Sequence, residues 1–409
     1  MKSILNRKYN HVRTAVLRLY EKSKYTNRLN YACQKRMLVT FQRFPERHKY
    51  PFFYRQCSVD AISDIYDSPE ENENRRDMHE HTLLYEVLEN SIHYQNSIMQ
   101  PIRVRLDVHK EDGQTLSLMD WSSLSKDKIY NAIKKMCYCH LDNMHFQTVV
   151  YDNMLQAFIT AIPEYSNKQV QKLLQHIIVF SNELKLSRFY RIFTRALSKE
   201  CLTRFFGANI EELLLMLDAF YHLDEFKCDY TWRTLRKLGS KTHKFTAKNL
   251  VQFMFYLSIF QSHDVNMYEV ECRVEECISE ISVNELAIIA RGFFLNQKRI
   301  HSKKLIENFL IKLRTDIKIV DGTNVCVICL NRFPASLARI LMFITYKKIY
   351  PEELWIYVMR PTFIQQIYKN RISLLTNELW TLHNSIQIEV PNYKGELLKP
   401  ALHNRLIKV

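Results

Sequence analysis

One arrangement of apolar residues recurs behind six candidate helix caps, and few folds accommodate that repetition. The caps are Ser125, Ser166, Asn209, Thr246, Ser282 and Asp321, and the pattern occupies the positions four, seven, eight, eleven and twelve residues further on. The first three sets are Ile129, Ala132, Ile133, Met136, Cys137; Val170, Leu173, Leu174, Ile177, Ile178; and Leu213, Met216, Leu217, Phe220, Tyr221. The last three are Leu250, Phe253, Met254, Leu257, Ser258; Leu286, Ile289, Ala290, Phe293, Phe294; and Val325, Ile328, Cys329, Arg332, Phe333. Only Ser258 and Arg332 break the apolar or amphipathic character. Those offsets line one face of a helix with 3.6 residues per turn.

The caps lie 41, 43, 37, 36 and 39 residues apart, which leaves room for one helix pair each time. Gln169, Glu212, Asn249 and Glu285 stand three places after their caps, where a polar side chain can answer the cap's own backbone N–H. A single hairpin of this kind, such as residues 281–313, cannot bury both apolar faces, whereas a stack of hairpins can. The predicted fold is therefore all-α, an α-solenoid of about six helix-pair repeats of roughly 36–43 residues. Six glycines and ten prolines in 409 residues argue against a β-protein built on tight turns. No run approaches eighteen uncharged apolar residues, so no membrane span is expected.

The net charge of +15 is unevenly distributed. Residues 1–50 hold thirteen Lys/Arg against Glu21 and Glu46, and residues 51–100 hold three against ten acids. The first fifty residues, acid-poor with Val12, Ala15, Val16 and Leu19 on one side, have the composition of a mitochondrial transit peptide. A basic helical arm retained on the protein has the same composition. Residues 51–120 read as a linker and a small irregular segment. The run SPEENENRRD marks residues 60–89 as flexible, with His79 and His81 as solvated loop histidines. RVRLDV followed by Asp112-Gly113 suggests a short hairpin within 102–119. The helical array then occupies 121–350. Residues 351–409 hold C-terminal helices, with helical segments expected at 336–349 and 352–369 and Pro351 and Pro361 as breakers.

Ten scattered cysteines suggest reduced thiols rather than disulfides. Cys326-x-x-Cys329 resembles half a zinc or redox motif, but Cys329 falls on a core offset and no second pair follows. Cys137-x-Cys139-His140, with His145 beyond, has more ligand types, yet Cys137 also falls on the core face. Packing is the expectation for both, with no metal and no cofactor. Phosphate-binding glycine loops, kinase signatures and a nucleophile elbow are absent from the sequence, so no catalysis is expected.

The basic residues carry the functional expectation. The second helices hold Arg188, Arg191 and Arg195; Arg233, Arg236, Lys237 and Lys241; and Lys303 and Lys304. Arg188, Arg191 and Arg195 are spaced to share one helical face, and such stripes on stacked units would form a groove able to follow a phosphate backbone. A solvated outer face is the competing reading. Phe189, Tyr190, Tyr230 and Trp232 lie among these cations and are candidates for base stacking or for the core.

Near the C-terminus, Leu379, Leu382, Asn384, Ile386, Ile388, Glu389, Pro391, Tyr393, Gly395 and Leu397 resemble the segment that closes the first conserved region of the FAST kinase domain-containing family of mitochondrial RNA-binding proteins. Residues 281–313 also resemble that family's helical repeats. The resemblance implies a matrix protein that acts on mitochondrial transcripts, in their processing, stability or translation, alongside other RNA-processing proteins and without kinase activity. The family's second conserved region and its C-terminal RAP domain have no counterpart in these 409 residues, so no catalytic residue carries over. The alternative reading is a helical-repeat scaffold that binds a peptide or a partner helix.

Overall fold

The computed structural model describes residues 80–103, 110–225, 228–260, 265–295, 302–316, 319–320, 324–325, 334–358, 376–390 and 392–393, all within the compact unit Asp64–Val409. The leader expected at 1–50, Cys326 and Cys329 lie outside them. The described residues are helical except for one short antiparallel pair, β1 (Ile319–Val320) with β2 (Asn324–Val325), and the connecting turns.

Two short helices come first, α1 (Glu80–Glu89) and α2 (Lys110–Ser117). The repeating part follows as α3 (Lys126–Leu141), α4 (Thr148–Ala161), α5 (Asn167–Val179), the single turn α6 (Ser181–Leu184) and α7 (Tyr190–Thr203). It continues as α8 (Ile210–His222), α9 (Asp229–Gly239), α10 (Ala247–Phe260), α11 (Met267–Cys277), α12 (Val283–Leu295) and α13 (Lys303–Asp316). After the strand pair come α14 (Pro334–Tyr346), α15 (Glu352–Val358) and α16 (Thr376–Glu389).

These helices fall into two rows. Helices α3, α5, α8, α10, α12, α14 and α16 each pack on the next in that order. In the second row α4 packs on α7, α7 on α9, and α11 on α13. Four second-row helices end in a 3-10 turn, at Ile162–Glu164, Phe205–Gly207, Thr242–Lys244 and Ile278–Glu280. In each case the next cap stands two residues beyond the turn, at Ser166, Asn209, Thr246 or Ser282. The residue between turn and cap is Tyr165, Ala208, Phe245 or Ile281, the apolar staple position that fixes how the chain enters the helix. Ser166 with Gln169 and Asn209 with Glu212 form complete capping boxes, and Ser282 exchanges the same bonds with Glu285.

The cap-derived register matches the first five units closely. Every offset residue is buried except Phe294, which is half-buried. The sixth unit is different. Asn324 and Val325 pair as a strand where the register placed a helix, and the helix that packs on α12 starts at Pro334. Asp321 itself lies outside the described residues.

Helix α8 joins two apolar cores. Its Met216, Ala219 and Phe220 pack with α3–α7, while Leu213, Leu214, Leu217 and Tyr221 pack with α10–α16. Gly292 brings α12 close to α10. A Cβ there would stand 2.6 Å from Met254 Cε and 3.2 Å from the Met254 carbonyl oxygen.

The stretch expected as a flexible linker ends in structure. Its last ten residues form α1, which lies on α10 and α12 and buries Leu84, Tyr85, Val87 and Leu88. His81 is half-buried, with its ring against Tyr221 and Nδ1 3.1 Å from the Tyr221 hydroxyl, and is not a solvated loop residue. Beyond α1 the chain is pinned by Tyr94, whose hydroxyl donates to Glu285 at 2.6 Å, and by Ser97, whose carbonyl accepts from Gln252 Nε2 at 2.6 Å. Asp112-Gly113 lies inside α2 and makes no hairpin turn.

Candidate nucleic-acid interface

The arginines of the second row begin with a boundary effect. Helix α7 starts at Tyr190, so Arg188 sits in the preceding turn and does not share the helical face of Arg191 and Arg195. Its Nε lies 2.9 Å from Asp152 Oδ2 on α4, and its guanidinium lies 5.1 Å from the Phe189 ring centroid. Asp152 is buried and also accepts the Ser187 hydroxyl, which makes Arg188 part of the turn's internal bonding.

Arg191 and Arg195 stand one turn apart on α7, both exposed and without an ion-pair partner among the described residues. Ile192 is exposed beside them, and Lys199 extends the exposed basic face by another turn. On the adjoining α9, Trp232, Arg233 and Arg236 are exposed, with the Arg236 guanidinium 5.7 Å from the Trp232 ring centroid. Because α7 and α9 pack side by side, the structure brings these cations onto neighbouring helices, with Trp232 exposed on α9 beside Arg236. A cation beside an exposed indole suits phosphate and base together, charge against charge and ring against ring.

Of the four candidate lysines, Lys237 and Lys304 have partners elsewhere. Lys237 donates to the Phe205 carbonyl at 2.5 Å and lies 4.1 Å above that ring. Desolvation, and then the charge of Lys241, lower its pKa from the usual lysine value. Lys241 is half-buried beside the turn that follows α9. Lys303 and Lys304 are exposed at the start of α13, and Lys304 Nζ lies 3.5 Å from Glu275 on α11. Between α9 and α13 runs α11, which carries Glu269, Glu271, Glu275 and Glu276 against Arg273. The recurring basic stripe is therefore interrupted, and the arginine cluster belongs to α7 and α9.

The candidate stacking aromatics separate in the same way. Tyr190 and Tyr230 are buried, the first donating its hydroxyl to the Leu223 carbonyl and the second stacked on Phe220. Phe189 is half-buried, which leaves Trp232 as the outward-facing ring of the four. Lys199 was legible in principle, because it continues the i, i+4 spacing of Arg191 and Arg195.

A different set of polar residues gathers at the end of α3. Cys137 and Cys139 are buried in the core, as free thiols. The third member of that motif, His140, instead approaches His145 and Glu183. Neither a family model, nor a curated protein, nor a solved structure matches this chain.

Proposed function

We propose that this chain is an α-solenoid that binds RNA through the outer face of α7 and α9 and acts in the mitochondrial matrix on the processing, stability or translation of transcripts, without catalysis of its own. The solenoid reading is supported by the unbroken neighbour order of the first-row helices and by the repeated sequence of second-row helix, 3-10 turn and cap. The binding reading rests on one observation: Arg191 and Arg195 on α7, and Arg233, Arg236 and Trp232 on the adjoining α9, are all exposed. Composition of the first fifty residues and the resemblance of 379–397 to the FAST kinase domain-containing family support the compartment and the transcript class. Other RNA-processing proteins are the partners that this reading implies.

Fluorescence anisotropy of the 409-residue chain with a labelled single-stranded RNA tests the interface. Four arginine–phosphate contacts give a slope of about −3 in log affinity against log salt. Arg191→Glu combined with Arg233→Glu removes most of the affinity at low salt. No binding at low salt sinks the reading; salt-insensitive capture of an apolar helix favours the scaffold alternative, for which exposed Ile192 and Phe206 would be the contacts. Crosslinking in isolated mitochondria tests compartment and transcript together.

A further inference from the structure

His140 is the last residue but one of α3, His145 lies in the connection to α4, and Glu183 lies on α6. One ligand atom from each of the three lies within 4.8 Å of the others. His140 Nε2 is 3.8 Å from Glu183 Oε2, and the two imidazoles meet edge to face with centroids 5.4 Å apart. The turn between the histidines is made by Asn143, whose φ of 60° lies in the left-handed region that asparagine tolerates.

His140 Nδ1 is buried without a hydrogen-bond partner among the described residues. Its Nε2 is too far from Glu183 for a hydrogen bond. A carboxylate and two imidazoles thus converge, and among the described residues no lysine or arginine pairs with Glu183. One wall is closed by the Phe180 ring, 6.1 Å from His140, whereas His145 is exposed and leaves the other side open to solvent.

We infer that His140, His145 and Glu183 form a binding site for a divalent first-row transition-metal ion, with at least one coordination position open to water. Two imidazole nitrogens and one carboxylate oxygen form a ligand set that suits zinc and its neighbours and offers little to magnesium or calcium. Metal–ligand bonds of about 2.0–2.1 Å require the three atoms to draw closer. Rotation of the exposed His145 and half-buried Glu183 side chains supplies that movement without displacing the core. A bound ion would tie the α3–α4 connection to α6. This site is separate from the arginine cluster and stands or falls independently of RNA binding.

The test uses the full chain, stripped with a chelator, then titrated with Zn2+ against a competing indicator and with Co2+ by visible absorption. One ion per chain is expected, with a cobalt spectrum that lacks thiolate-to-metal charge transfer. His145→Ala and Glu183→Gln each weaken binding at least about tenfold. Both alter side chains outside the core, and circular dichroism checks that each variant is folded. Failure of the wild type to take up either ion at micromolar concentration, unchanged affinity in both variants, or a thiolate spectrum overturns the assignment.

Discussion

The backbone N–H of Met99 donates to Oδ2 of Asp218 at 2.5 Å, across 119 positions of sequence. The same carboxylate, fully buried on α8, accepts the hydroxyls of Tyr85 at 3.0 Å and Tyr256 at 2.7 Å. The segment that begins with α1 is therefore held on the first-row helices by a shared acceptor as well as by apolar burial. Asp218→Asn keeps the volume but replaces an acceptor oxygen with an amide that faces donors. It is expected to cost about 1–3 kcal/mol, seen as a lower urea midpoint at constant slope. Tyr256→Phe removes one donor and costs about 1 kcal/mol. An unchanged midpoint in both variants contradicts the shared-acceptor account.

The same cluster gives a pH dependence whose sign is fixed. Burial first, and the Asp218 charge second, raise the pKa of Tyr85 and of Tyr256 well above the ordinary tyrosine value. Burial also raises Tyr165 to about 12. In the unfolded chain these phenols ionise near pH ~10, while the folded state retains their protons. The folded state then binds more protons, so its stability is fully present below about pH 10 and declines as pH rises through the folded values. Melting temperatures measured from pH 8 upward should be flat at first and then fall, with exposed tyrosines such as Tyr268 and Tyr346 ionising before unfolding and a further step in tyrosinate absorbance at unfolding from the buried ones. A melting temperature that stays flat through about pH 11, or the absence of that further step, contradicts this.

The cap register was legible because first-row helices face neighbours on both sides and write a strong 3.6-residue period, backed by Ser166, Asn209 and Ser282 with their reciprocal partners. Helix α1 was obscured because its few apolar residues follow an acidic run, and their partners, such as Tyr221 and Phe255, lie far along the chain. Asp112-Gly113 carries a turn signal that the local helix overrides, and the cap signal at Asp321 is followed in the sequence by Asn324 and Val325, which pair as a strand. For the basic residues, spacing identifies a helical face but not what adjoins it. Nothing near Lys237 in sequence announces the carbonyl of Phe205, just as nothing near His140 announces Glu183.

Gly292 offers a graded test of row packing. In Gly292→Ala, the Met254 side chain can swing from the new Cβ but the Met254 carbonyl, 3.2 Å away, cannot. The better helix propensity of alanine, about 1 kcal/mol, opposes that crowding, so the change in stability should be small. Gly292→Val adds bulk with no such compensation and is expected to destabilise by about 1–3 kcal/mol. Equal melting temperatures for the valine variant and the wild type would show that α10 and α12 separate freely.

Arg233 and Lys237 lie one helical turn apart on α9 and should respond oppositely to mutation. Arg233 is exposed and has no ion-pair partner among the described residues, so Arg233→Glu leaves the melting temperature near the wild-type value while RNA affinity and its salt dependence both fall. Lys237 spends its charge on the Phe205 carbonyl and ring, at the turn between α7 and α8. Lys237→Met keeps the aliphatic stem but removes the lysine's bond to that carbonyl, which the Ala208 N–H still meets at 3.4 Å, at a cost of about 1 kcal/mol. RNA affinity measured well below the melting transition should then stay close to that of the wild type. Anisotropy and thermal melts on the two variants separate an interface residue from a packing residue. If Lys237→Met weakens RNA binding as much as Arg233→Glu does, the interface extends to the end of α9 and the division drawn between the two cations is wrong.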